Sequence, residues 1–447
     1  MTATVNDGTA APAPGAAVAP ARLRDDRDFR RYWSARTVSL AGASMTFFAL
    51  PVLVYQLSNK SSFAAGLLVA LEAVPYLLLG LVAGALADRL DRRRIMVRAD
   101  LLNAAVLASV PLAAAFDALT LPHVMAVGML GAALFVFFDA ANFGALPTLV
   151  GRDRIAAANG AVMGAGSVLE IAVPSLTGLM IAVIHPSSVL ALSALTAAGS
   201  ALFVRAIVRP LSDPDRTPAA LTARRLRGEI ADGLRYLWNH PTIRPMTFIG
   251  TLQSVAGGAA VGQFVPYLDQ ALGVSQGDWR FGLMFSVHAL GGLVAATLVG
   301  RVARRFGAVR VVLYGLPVSA TFGILYAIAP VWWLAMLLLG CWAAAYMLVV
   351  INGVTYRQQV TPEHLLSRVN VTGRMLAWGL GWTVGGLLGG VIGAAYGPRA
   401  GTVAGACALF VALAVAWLSP LRRAAAEPLT RPAAERDSDP ATDPARR

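Results

Sequence analysis

The chain has 447 residues, 57% of them apolar and only 14% charged, with a mean hydropathy of +0.63. Those proportions exclude a soluble multidomain protein and indicate an integral membrane protein. The net charge of +13 would suit a nucleic-acid binder if it were spread over a soluble surface, but the basic residues gather in connections between apolar runs, so the excess reports topology and no nucleic-acid partner is expected.

The first twenty residues lack a basic start and are broken by Pro12, Pro14 and Pro20, so they do not read as a cleavable signal. Residues 1–25 are expected to form a disordered cytoplasmic tail. Arg22 to Arg36, with Phe29, Tyr32 and Trp33, fits a short interfacial helix. Twelve apolar runs follow, at residues 37–57, 63–87, 96–116, 121–145, 160–184, 187–208, 246–270, 281–302, 308–329, 332–354, 370–394 and 399–418. Each is long enough to cross a hydrocarbon core of about 30 Å. All the basic residues but Lys60, Arg280 and Arg399 fall on one side of this alternation. The positive-inside rule makes that side the cytoplasm, and an even number of spans puts both termini there, in a protein that crosses the cell inner (plasma) membrane many times.

The connection at 210–245 opens with Pro210, Asp213, Pro214, Asp215 and Pro218, a linker composition, and turns amphipathic from Leu221 to Trp238. That second part is expected to lie on the inner membrane face. It separates two bundles, 26–209 and 246–420, that look like copies of each other. Gly84 and its arginine-rich turn recur as Gly300, Arg304, Arg305, Gly307 and Arg310, while Asn159 and Gly178 recur as Asn370 and Gly389 at nearly the same separation. Residues 421–447 read as a second disordered cytoplasmic tail. The fold class is therefore all-α integral membrane, with twelve transmembrane helices in two pseudo-symmetric six-helix bundles.

The turn after the second run, GALADRLDRRR from Gly84 to Arg94, resembles the signature loop between helices two and three of the major facilitator superfamily. Gly84, Asp88, Arg89, Arg92 and Arg93 carry the likeness. The resemblance implies that Asp88 belongs to a latch closing the cytoplasmic side, with a partner near Asn370 to Arg374 at the start of span eleven. The alternative is a solvated Asp–Arg cluster of little energetic weight. The second-half copy has Arg304 in place of the acid, so such a latch is one-sided. Phe29 to Met45, Pro147 to Gly160 and Asp232 to Arg244 are similar to the bacterial branch of enterobactin exporters and macrolide efflux pumps, and the overall likeness covers residues 25 to 420. Ala43 and Ser44 stand where that branch often has an acid. Span five, with Gly164, Gly166, Glu170, Pro174 and Gly178, resembles the Gly-Pro element of antiporters except that Val173 replaces the glycine before the proline. Close helix packing explains the same pattern.

The chain holds one lysine, Lys60, and no Gly-x-x-x-x-Gly-Lys loop, so it cannot hydrolyse a nucleotide by that route. Gly-x-Ser-x-Gly and His-Glu-x-x-His are absent too. Cys341 and Cys407 lie in apolar runs without disulfide or metal-ligand spacing. No enzyme, cofactor or metal is expected. What remains is ionisable groups at bilayer depth, each costing at least about 2.5 kcal/mol and each a functional candidate. Glu72, Glu170 and Asp139, all in the first half, are the candidate proton carriers, set against the alternative that each is held permanently by a neighbour. His288 is expected to be a packing hydrogen bonder before a proton carrier. Gln253, Gln263 and Asn352 either line a cavity or bind helices together. Arg36 and Arg374 are expected to snorkel rather than meet an anion.

These residues suggest a proton-coupled exporter of an amphipathic small molecule of drug, antibiotic or siderophore type, working by alternating access in the lipid bilayer. A uniporter or importer of the same fold, and a non-transporting receptor or assembly partner using Leu221 to Trp238, are the alternatives. The pattern specifies no oligomer.

Overall fold

The computed structural model describes residues 23–212 and 223–426, and every regular element among them is helical. The amino-terminal half holds α1 (Arg27–Leu57), α2 (Ser62–Ala87), α3 (Arg92–Ala115), α4 (Leu121–Val150), α5 (Ile155–Val183) and α6 (Pro186–Arg205). A connecting helix α7 (Ala223–Asn239) leads to α8 (Ile243–Pro266), α9 (Trp279–Phe306), α10 (Ala308–Ile328), α11 (Trp332–Val360), α12 (Glu363–Arg374), α13 (Trp382–Tyr396), α14 (Pro398–Leu418) and the short α15 (Leu421–Ala426). Among the described residues twelve helices are long and apolar enough to cross a membrane, α12 and α13 forming one of them through the π-helical Met375–Gly381.

Helix starts follow from capping. Asp26, Ser61, Asp91 and Asp278 each accept a hydrogen bond from a backbone N–H in the first turn of the helix that follows. Gly307, at φ 82°, turns the chain directly from α9 into α10, a conformation that residues with a Cβ avoid.

Three expectations need correction or restriction. Arg22 to Arg36 does not make a separate interfacial helix, because α1 begins at Arg27 and runs unbroken for 31 residues. Leu421–Ala426 is helical where a disordered tail was expected; residues 1–22 and 427–447 of the two tails, and 213–222 of the linker, lie outside the described residues. The amphipathic segment forms α7, which packs on α12: Arg368 donates to Asp232 at 3.0 Å, and a Cβ added at Gly233 would lie 2.7 Å from Thr372 Oγ1.

The arginine-rich turns and the described ends of the chain mark one face of the molecule, here the basic face; the opposite one is the far face. At the basic face Asp26 is clamped by Arg209, with Arg154 3.5 Å away, and Asp28 accepts from the Val208 and Arg209 backbone amides.

Packing between the halves is lopsided. Toward the far face one apolar core runs through both, joining Leu50, Tyr55 and Leu68 to Phe264, Tyr267 and Phe281. Toward the basic face the core divides into separate clusters, one in the amino-terminal half and two in the other. The glycines of α2 and α5 show the same gradient. A Cβ at Gly66 would lie 2.3 Å from Gly386 O, and one at Gly178 would lie 2.6 Å from Gly282 Cα, so the backbones touch at the far ends. Near the other ends, Gly84, Gly160 and Gly164 have no atom within 4 Å of that position. The two halves are closed together at the far face and part toward the basic face.

Candidate functional site

Two polar junctions join the halves, and at each the carboxy-terminal half contributes from a π-helical segment. The extra residue per turn in such a segment re-aims side chains, and π geometry recurs at functional sites. The far junction is built on Tyr267–Ala271. Asp269 Oδ2 accepts from Tyr55 OH and from Lys60 Nζ, each at 2.9 Å, and Gln270 Nε2 donates to Tyr55 OH at 2.9 Å and to Lys60 O at 3.0 Å. Gln56 donates to Gln276 at 2.9 Å, and Gln263 Nε2 to Ser62 O at 3.0 Å. Below this ring Phe48 meets Phe285, with ring centroids 4.0 Å apart, which makes the closure apolar as well as polar.

The central junction lies deeper. Arg374, next to the π segment Met375–Gly381, donates to Asp139 Oδ2 at 2.8 Å. Its guanidinium also lies over the Tyr76 ring at 5.9 Å. Tyr76 approaches Phe135 and Trp378, and Trp378 stacks on Trp382 at 5.7 Å. Both members of the ion pair are partly exposed, Asp139 at 25% and Arg374 at 49% of the side chain, so water reaches them. Snorkelling, the expectation for Arg374, is not what the structure shows: the side chain crosses to the other half because Asp139 offers it a counter-charge. Arg36 likewise stays inside, over the Phe138 ring at 5.5 Å, with its Nε lacking a hydrogen-bond partner. Beside them Tyr32 OH donates to Asn142 Oδ1 at 2.5 Å.

The other candidates are scattered. Glu72 is half-buried on α2, with Oε1 3.3 Å from where a Cβ on Gly128 of α4 would be, inside the amino-terminal half. Glu170 is exposed on α5, and no hydrogen bond or ion pair engages it among the described residues. His288 is exposed on α9. Gln253, Gln263 and Asn352 are at most 1% exposed, so none opens on an accessible cleft. Gln263 binds the halves together, Asn352 donates to Leu348 O within its own helix, and neither amide atom of Gln253 has a partner.

In the turn from Gly84, Asp88 ends α2 and lies 3.9 Å from Arg92. Arg92 is buried and donates to Gly144 O at 2.8 Å, while Arg93 donates to Val208 O at 3.1 Å and Arg209 O at 2.6 Å. These arginines hold α4 and the exit of α6 within their own half. Arg89, with Asp88, also makes contacts.

Nothing in the local sequence around Asp269 points to the far junction. Its one linear signal is that the chain's only lysine sits in the connection opposite it; its partners lie about two hundred residues away along the chain, and periodicity carries no information at that range. Asp100 is hidden too. The third apolar run starts at Met96, which leaves Asp100 at a helix end, whereas α3 starts at Arg92 and buries Asp100 to 5% exposure.

The family model described as Major Facilitator Superfamily matches residues 32–372 and 247–444. The chain is 32% identical over 219 residues to the multidrug efflux pump Tap of Mycolicibacterium fortuitum, covering 47% of this chain and 52% of that protein. It thus spans about half the length of that relative. It is 26% identical over 359 residues to the enterobactin exporter EntS of Citrobacter koseri, covering 78% and 81%. Among solved structures, a bacterial homologue of the human lysosomal transporter Spinster, in an inward-facing and occupied conformation, superposes with a TM-score of 0.71 at 14% identity, covering 90% of this chain and 98% of that one.

Proposed function

This chain belongs to the Major Facilitator Superfamily, and from that premise we propose that it is a proton-coupled exporter of an amphipathic small molecule, residing in a bacterial inner membrane with both termini in the cytoplasm. The observation that carries the reading is the lopsided closure: α2 and α5 touch the other half at their far ends and are free of it at Gly84, Gly160 and Gly164. Two rigid bundles that close at one end and part at the other are what alternating access requires. The arginines of the basic face put it in the cytoplasm, so this is the conformation that loads.

Glu170, Glu72 and Asp139 carry the protons. The half-open cleft gives water access to Asp139, and Glu170 is exposed on α5. A proton on Asp139 removes the charge that holds Arg374, so proton and inter-half ion pair compete for one carboxylate. Each charge moved is driven by about 2.3 kcal/mol per 100 mV of membrane potential. Closing the basic face brings Asp88 to the start of span eleven, near Asn370 to Arg374, as the second latch. The aromatic wall of Tyr76, Phe135, Trp378 and Trp382 suits an amphipathic cargo, the class suggested by relatives described as a multidrug efflux pump and an enterobactin exporter. The packing of α7 on α12 favours this reading over a receptor that offers α7 to a cytoplasmic partner.

Proteoliposomes with an imposed pH step provide the test. Substrate efflux should follow the step and collapse in the Glu72→Gln, Glu170→Gln double variant. Flux indifferent to both would remove proton coupling by these residues.

A further inference from the structure

Within the amino-terminal half, α1, α3, α4 and α6 enclose a cavity of about 30 Å³, room for a water-sized guest. Its polar lining is Ser39 and Thr46 on α1, Asp100 and Asn103 on α3, and Ser193 and Thr196 on α6. Three of its hydroxyls have already spent their protons. Thr46 Oγ1 donates to Gly42 O at 3.1 Å, Ser193 Oγ to Val189 O at 3.2 Å, and Thr196 Oγ1 to Ser193 O at 2.7 Å. Each hydroxyl has committed its only proton to its own helix and has lone pairs left to offer. Asp100 is 5% exposed, and its Oδ2 has no hydrogen-bond partner. Ser200 stands beside it as the one hydroxyl near enough to donate to the carboxylate.

Three acceptor-only hydroxyls around a buried carboxylate call for positive charge, since an uncompensated charge in such surroundings is costly. Arg36 acts on Asp100 from one turn toward the basic face but makes no ion pair with it. We propose that this cavity is a binding site for one sodium ion, held by the Asp100 carboxylate and the hydroxyl oxygens of Thr46, Ser193 and Thr196. Hard cations take oxygen ligands. A divalent ion fits worse, because one carboxylate with Arg36 nearby leaves it uncancelled, and magnesium keeps several waters for which there is no room. A cradle is already cut for the arrangement: a Cβ on Gly42 would lie 1.9 Å from Thr196 Oγ1, so only glycine there lets that hydroxyl close onto α1. An occupied site ties α1 to α3 and α6.

The test reads binding rather than flux, so it stands or falls apart from the transport reading. Purified protein in detergent at fixed pH is melted in sodium chloride and in choline chloride of equal ionic strength. A native-state ligand raises the melting temperature as it saturates. Sodium should give a saturable upward shift, with radiolabelled sodium bound at one ion per chain. Asp100→Asn should abolish both, Gly42→Ala and Thr196→Val should weaken them, and Asp139→Asn should leave them intact. Equal melting in the two salts, a shift that survives Asp100→Asn, or one lost in Asp139→Asn would overturn the site. Should Asp100→Asn fail to fold, Thr196→Val decides, and an undiminished shift there overturns it.

Discussion

Lys60 meets Asp269 at 2.9 Å across the two halves, and it does so from a left-handed backbone, with φ at 65°. A residue with a Cβ holds that conformation at a cost of about 1 kcal/mol or more and persists in it where surrounding contacts over-determine it. Here they do: Lys60 N donates to Tyr55 O at 2.9 Å, and Gln270 holds the Lys60 carbonyl. The strain fits a gate, bonded strongly enough to close and poised to be released.

Removing the two partners should therefore have unequal effects. Lys60 is 65% exposed, so its ion pair contributes no more than about 1 kcal/mol, whereas Asp269 also accepts from Tyr55 inside the junction and is worth about 1.5–3 kcal/mol as a charged acceptor. Lys60→Met should shift the closed population less than tenfold, and Asp269→Ala by tenfold or more. Spin labels at Asn59→Cys and Ser275→Cys, with Cys341 and Cys407 replaced by alanine, read the distance distribution directly. Equal shifts in the two variants would show that Tyr55 and Gln270 add nothing.

The central pair invites a double-mutant cycle. Asp139→Asn leaves Arg374 its contact with Tyr76, and Arg374→Gln leaves Asp139 without its partner. Because both side chains are partly wetted, the coupling energy should be about 0.5–3 kcal/mol in thermal unfolding. Transport should fall in each single variant by more than stability does. Zero coupling would reduce the contact to a coincidence of packing.

Much of this architecture is legible one residue at a time. Apolar run length is a local property dictated by bilayer thickness, so all twelve spans can be read from the chain, and the arginine turn at Asp88 marks its own position. Pairings across the halves are not local. Asp139 and Arg374 each read as isolated charges whose partner depends on how two bundles dock, and the π segments that aim Arg374 and Asp269 have no periodicity of their own to betray them. Asp100 escaped for a different reason, because the three arginines that open α3 disguised its first turn as a loop.

Acid should loosen the basic face through Asp26. Burial works to raise its carboxyl, but hydrogen bonds from Arg209 and the Phe29 amide, with the charges of Arg209 and Arg154, outweigh that and hold it below the usual 3.8. A group depressed on folding adds stability that is fully present above its unfolded value and disappears as pH falls through the folded one. Unfolding in detergent should then steepen below about pH 4, and Asp26→Asn should flatten that limb. At neutral pH Asp26→Ala should cost about 0.5–2 kcal/mol as a lost helix cap, before any contribution from the arginines. An acid limb unchanged in Asp26→Asn would assign it to other carboxylates.

Two glycines on one helix separate fold from mechanism. At Gly66 a methyl group would lie 2.3 Å from Gly386 O and 2.7 Å from Gly390 Cα, and backbone atoms cannot yield as a side chain can. Gly66→Ala should wedge the far junction apart and enrich the state open to that face, visible as a longer Asn59–Ser275 label distance. Gly84 has nothing within 4 Å of the same position, so Gly84→Ala should fold as well as the parent or better, by about 0.5–1 kcal/mol of helix propensity. Its space is needed only if the basic face closes, when the ends of α2 and span eleven come together. Gly84→Ala should therefore leave melting undiminished and the label distance unchanged while slowing turnover. Normal turnover in Gly84→Ala would mean that the basic ends never approach as closely as the far ends do, and rocking about the centre would have to give way to a smaller motion of single helices.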